Sequence, residues 1–145
     1  MSDVRAAALL AELPRDPELG VAVPFACTQD DGSASVSSLI RKRVTQCALS
    51  RICGVCGQSL GAPVAFIGSR VEFDRLAFHF PPVHPDCGRA ILAECADLKV
   101  GVLGQPSLPE QWVLATTSGF EHERPSSREG DNRPTFRPNS LISLD

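Results

Sequence analysis

The sequence predicts a small α+β domain with irregular ends, and three observations carry that expectation. Side chains able to ligate a metal fall into two close pairs, Cys53-x2-Cys56 and His84-x2-Cys87. Apolar residues recur at helical spacing before the first pair and again from the second, with short strand-like runs between them. Twelve prolines and eleven glycines among 145 residues exceed the usual combined share of about 12%, so much of the chain is turn or loop.

Taken in order, Ala6–Leu13 can form a short helix, which Pro14 and Pro17 stop. Gly20–Cys27 alternates weakly as a strand, and Pro24 favours an edge position. Thr28–Ser33 is a polar loop. Val36, Leu39, Ile40, Val44 and Cys47 form one apolar stripe, which predicts a helix over about 36–50 capped by Ser35 or Ser37. Arg41, Lys42 and Arg43 lie on its other side. After the Cys53–Gly57 run come two strand-like segments, Pro63–Ile67 and Arg75–Phe80, expected to pair as a hairpin. His84-Pro85-Asp86 opens a second helix, because proline suits the first helical position and an acid suits the first turn. Cys87, Ile91, Cys95 and Leu98 give that helix its stripe, and Gly101 ends it. Gln111–Thr117 reads as one more strand. Residues 119–140 hold few apolar groups and are expected to be flexible. The expected organisation is an N-terminal arm over 1–20, a single zinc-binding domain over 21–118, and a Pro/Arg/Ser-rich tail over 119–145.

Composition narrows the function classes. Hydrophobic residues are 43% and charged residues 21%, enough apolar content for a packed core and too much for full disorder. The net charge of −3 excludes a polybasic nucleic-acid binder of histone type. It conceals a basic centre: residues 35–102 carry eight bases and five acids, between acidic flanks. No apolar run approaches the roughly 18 residues that span a bilayer. Met1–Leu13 lacks a basic region followed by a long apolar stretch, so no export signal and a cytoplasmic location are expected.

Six cysteines in a reducing compartment point to metal binding rather than to disulfides. A C-x2-C turn lets two thiolates reach one ion, and its glycines open the backbone to the sulfurs. His84 and Cys87 project from one side of a helix start, where exposed N–H groups and the helix dipole favour a thiolate. Cys53, Cys56, His84 and Cys87 form a Cys3His set, for which Zn2+ is the expected ion. Cys95 and His79 are the substitutes should His84 not serve. Cys27, Cys47 and Cys95 otherwise read as buried core thiols. Knuckle, β-hairpin and ligand-bearing helix, in that order over about residues 51–98, resemble the treble-clef zinc finger.

Longer strings extend the likeness. LPRDPELGVAVPF at Leu13–Phe25, RICGVCGQSLGAPVAFIG at Arg51–Gly68, PPVHPDCGRAI at Pro81–Ile91 and WVLATT at Trp112–Thr117 resemble a group of small CxxC…HxxC zinc-binding proteins of actinobacteria and their phages. Twelve arginines against two lysines suit a high-GC genome. The resemblance covers about residues 13–117. It implies a metal-binding fold and no particular activity, and the group's later Cys-Pro appears here as Cys95-Ala96.

A closed Cys3His site has no open coordination position, so it holds structure rather than activating water. The expected function is a non-enzymatic module that binds another protein, or nucleic acid weakly. Arg41, Lys42, Arg43, Arg70, Arg75 and Arg89 are its candidate surface, against the plainer reading of a solvated face. No small-molecule substrate is indicated. A treble-clef nuclease is an alternative that would need His79 or His122, and an iron–sulfur or redox sensor is another. The HxE, HExxH and phosphate-loop patterns are missing from the sequence.

Overall fold

The computed structural model describes residues 10–29, 31–123 and 135–145. Among the described residues, three complete helices and a three-stranded antiparallel sheet make an α+β domain. The helices are α1 (Arg41–Ser50), α2 (Arg70–Arg75) and α3 (Pro85–Glu94), and the strands are β1 (Val64–Ser69), β2 (Trp112–Glu123) and β3 (Thr135–Leu144). The strand order is β1-β2-β3. A 3-10 turn at Phe25–Cys27 precedes α1.

The central strand pair divides the core. Along β1, Val64 and Phe66 point into one apolar cluster and Ala65 and Ile67 into another, as period-two alternation requires. The first cluster joins Val44 of α1 to Phe78, Val113, Ala115 and Phe136. The second joins Ile91 of α3 to the N-terminal segment and to Cys53 and Val55. Because both faces of β1 are covered, its Val-Ala-Phe-Ile run is apolar throughout. Helix α3 approaches this sheet closely. A Cβ added at Gly88 would lie 2.9 Å from the Leu114 side chain and 3.1 Å from that of Val83, so any larger residue there must displace its neighbours in the core.

Several sequence expectations need correction. The hairpin between Pro63–Ile67 and Arg75–Phe80 does not form: β1 pairs with β2, with Phe66 opposite Ala115. The reason is a capping box. Ser69 accepts from the Glu72 N–H, and the Glu72 side chain accepts from the Ser69 N–H, so the chain turns into α2 instead of returning as a strand. The other edge of β1 is met by Val83, through Ala65 N–H to Val83 O at 2.8 Å and the reverse bond at 2.9 Å. The knuckle–hairpin–helix order of a treble clef is therefore interrupted.

Helix α1 starts at Arg41, not near residue 36, and neither Ser35 nor Ser37 caps it. Val36 and Ile40 are taken by tertiary hydrogen bonds: Val36 N–H to Asp16, Leu103 N–H to Val36 O, and Ile40 N–H to Ala26 O. Helix α3 stops at Glu94, well before Gly101. The Gly20–Cys27 strand is reduced to an Arg15–Ala22 bridge and the 3-10 turn. Residues 6–9 of the expected Ala6–Leu13 helix lie outside the described residues; of the rest, Leu10 and Ala11 are helical.

The tail expected over 119–145 is largely strand where it is described. β2 runs on to Glu123 and pairs with β3, with His122 opposite Phe136. Two aromatic residues explain this. Phe120 and Phe136 pack against Phe66 with ring centroids 6.0 and 6.3 Å away, and Phe136 exchanges backbone hydrogen bonds with Phe78. Few apolar groups suffice when each fills the same cluster. The rest of the predicted flexible stretch, residues 124–134, lies outside the described residues.

Asp16 fastens the N-terminal segment. Its carboxylate accepts N–H bonds from Glu18 at 2.8 Å, Leu19 at 2.9 Å and Val36 at 2.9 Å. Burial alone would raise its carboxyl, but these three donors more than offset burial and hold it below the ordinary value. The stability it contributes is thus present above the unfolded value of about 4 and is lost as pH falls through the lower folded value. Asp16→Ala should cost about 2–3 kcal/mol at pH 7. In thermal melts its deficit should narrow once the pH drops below about 4, and equal melting of variant and native chain at pH 7 would contradict this account.

Candidate metal centre

Two backbone devices bring the predicted ligands together. The first is a tight knuckle over residues 53–59. Gly57 N–H bonds to Cys53 O at 2.9 Å, Cys53 N–H to Gln58 O at 2.8 Å, and Ile52 bridges Ser59. Gly57 sits at φ +75°, a left-handed conformation that a glycine adopts without strain. The second device is the start of α3, with His84 as N-cap, Pro85 as the first helical residue and Cys87 in the first turn. Gly54 N–H to Pro82 O at 3.0 Å ties the two together.

The ligand atoms of Cys53, Cys56, His84 and Cys87 all lie within 4.8 Å of one another, a group that could hold a metal ion. His84 Nδ1 is 3.4 Å from Cys56 Sγ and 3.7 Å from Cys87 Sγ. A tetrahedral ion with metal–sulfur bonds of about 2.3 Å and metal–nitrogen bonds of about 2.0 Å has sulfur–nitrogen edges of about 3.5 Å. The two observed edges straddle that length. The imidazole is also set for coordination. His84 Nε2 lies 2.9 Å from the Ser59 carbonyl; a carbonyl only accepts, so Nε2 carries the proton and Nδ1 presents its lone pair.

Charge in the group is crowded. Cys53 is fully buried and Cys87 is 3% exposed, whereas Cys56 and His84 are half-buried. Burial would raise the Cys53 thiol, but hydrogen bonds from the Cys56 and Cys87 side chains and from backbone N–H groups hold it well below its ordinary value. Cys87 is pushed up, because its proton is held in hydrogen bonds to Cys53 and Cys56. Cys53 thus favours the negative charge and Cys87 its proton, an arrangement that a cation bound by the thiolates would replace.

The remaining sequence candidates lie outside this group. Cys95 is buried in the apolar core, and burial pushes its thiol up to about 12. Cys47 is buried on α1 and likewise raised to about 12 by burial. His79 donates its backbone N–H to Glu72 at 2.9 Å and is not among the four clustered residues. Ser59 is the contributor that sequence reasoning missed. It acts through its main-chain carbonyl, which leaves no side-chain signature. The cationic candidates are scattered. Arg70 pairs with Asp74, Arg89 with Asp86, and Arg43 lies over the Phe25 ring at 4.6 Å while bonding to Thr28 O. Arg41, Lys42 and Arg75 are exposed.

Elemental analysis of purified variants tests the ligand set. Cys53→Ser, Cys87→Ser and His84→Ala should each lose bound metal, while His79→Ala and Cys95→Ala should keep the native stoichiometry; loss of metal from Cys95→Ala would reassign the fourth ligand. No helix among the described residues is long and apolar enough to cross a membrane. No protein-family model, curated protein or solved structure matches the chain.

Proposed function

We propose that this protein is a structural-zinc module that recognises another macromolecule, most directly a protein. The observation that carries the zinc reading is the Cys3His cluster, with its sulfur–nitrogen edges of 3.4 and 3.7 Å. Three thiolates and an imidazole suit Zn2+ among the common ions, and four protein ligands close a tetrahedron. A closed site supplies folding energy, on the order of 10–16 kcal/mol for small zinc modules, comparable with the whole net stability of a domain, about 5–15 kcal/mol. Here it would lock the knuckle onto the start of α3.

The surface favours a protein partner over nucleic acid. Of the six cationic candidates, Arg43, Arg70 and Arg89 are engaged with neighbouring side chains, which dilutes the basic centre read from the sequence. In their place the structure exposes apolar residues on β3, with Leu141 54% and Ile142 60% accessible.

Purified protein should contain one equivalent of zinc and show no absorbance near 420 nm, the region of iron–sulfur charge transfer. Chelation should abolish the cooperative thermal transition and much of the helical circular dichroism. Binding to a random-sequence oligonucleotide should be weak at 150 mM salt. Tight, steeply salt-dependent binding that an Arg41/Lys42/Arg43 triple-alanine variant removes would replace the protein-partner reading with a nucleic-acid one.

A further inference from the structure

The six cysteines differ sharply in access. Cys27, Cys47, Cys53, Cys87 and Cys95 are buried, and Cys56 alone is half-buried. Cys53 is shielded further, since its sulfur accepts N–H bonds from Val55 and His84, both at 3.4 Å. Cys27, Cys47 and Cys95 are at most 3% exposed, and burial raises all three thiols, so they stay protonated and inert. Cys56 therefore combines two properties that no other cysteine here shares: it belongs to the ligand cluster, where coordination keeps sulfur as thiolate, and solvent reaches it.

We propose that Cys56 is an oxidation site, and that a peroxide reacting there closes a Cys53–Cys56 disulfide and expels the metal. The inference rests on the metal reading above. In the first step the Cys56 sulfur attacks one peroxide oxygen. The O–O bond breaks, hydroxide leaves, and Cys56 becomes a sulfenic acid. In the second step the Cys53 sulfur attacks the Cys56 sulfur. The S–S bond forms, the S–O bond breaks, and a second hydroxide leaves. Each sulfur gives up one electron, the peroxide accepts both, and two protons from solvent complete two waters.

Cys53 is the resolving partner because the two thiols share one turn, closed by the Gly57 N–H to Cys53 O bond of 2.9 Å. Cys87 belongs to a separate element. A disulfide at the knuckle leaves only His84 and Cys87 as ligands, too few to retain the ion. The consequence reaches beyond the site. The Val55 and Gly54 carbonyls accept N–H bonds from Phe25 and Ala26, both at 2.9 Å, so a rearranged knuckle loosens the 3-10 turn that carries the N-terminal segment into α1.

The test uses the full native chain purified with zinc, its metal content first verified. Sub-stoichiometric hydrogen peroxide is added, a chromogenic chelator reads free zinc, and alkylation with peptide mapping by mass spectrometry identifies the oxidised residues. The expected first product is the Cys53–Cys56 disulfide, with one zinc released per disulfide and both changes reversed by dithiothreitol plus zinc. Earlier oxidation of Cys27, Cys47 or Cys95, pairing of Cys56 with Cys87, or a Cys53–Cys56 disulfide formed with zinc retained would overturn the proposal. A chain that holds no zinc from the outset overturns the metal reading itself, and this inference with it.

Discussion

Three thiols and an imidazole held within 4.8 Å of one another form the constraint on which the rest of the structure depends. Without a cation, such a cluster crowds its sulfurs into hydrogen bonds with one another, which is what the opposed shifts of Cys53 and Cys87 express. A divalent ion removes that frustration in one step, because it needs the thiolates that the empty cluster disfavours. The pairing of a C-x2-C turn with a helix start is also an economical closure. One ion bound there would join segments that β1 and α2 separate in sequence, with β1 buried on both faces between them.

The knuckle transmits this constraint outward. One side receives the Phe25–Cys27 turn through two hydrogen bonds, and the other holds Pro82 through one. Phe25 then serves two neighbours. Its ring lies where a Cβ on Gly57 would come within 3.1 Å, and it carries the Arg43 guanidinium at 4.6 Å. The first turn of α1, where three cations face the end of the helix that favours anions, is thereby tied to the knuckle through Phe25 and not held by its own cap, for Ile40 offers no side-chain bond.

How much of this was legible in the sequence differs between site and fold. The four clustered residues were readable because coordination chemistry imposes residue types and spacings that survive any packing. The N-terminal boundary of α3 was readable for the same local reason, with Pro85 and Asp86 fitting its first turn. The hairpin expected after the knuckle gives way to the Ser69-x-x-Glu72 capping signature, which the sequence also carries. Against that signature stands the alternation of Leu76, Phe78 and Phe80, of which Leu76 proves to be an exposed left-handed helix cap, 47% accessible. The start of α1 was misplaced because Val36 and Ile40 follow the helical stripe, while partners distant in sequence claim their backbone groups. No local pattern carries that information.

The β2–β3 pair shows where composition misleads. A stretch rich in Pro, Ser, Gly and Arg was expected to stay flexible because its apolar content is too low to offset ordering. That argument treats the stretch as if it had to make its own core. Phe120 and Phe136 instead complete a cluster that Phe66 and Phe78 have already begun, with Phe66 and Phe78 stacked at 5.4 Å. Each added ring therefore gains contacts on several sides for the ordering of one strand. Pro138 is tolerated because β3 pairs with β2 on one side and, among the described residues, meets only Phe78 at Phe136 on the other. The same outer position leaves Leu141 and Ile142 exposed, so Phe136, which joins the shared cluster, and the apolar residues presented to solvent lie towards opposite ends of β3.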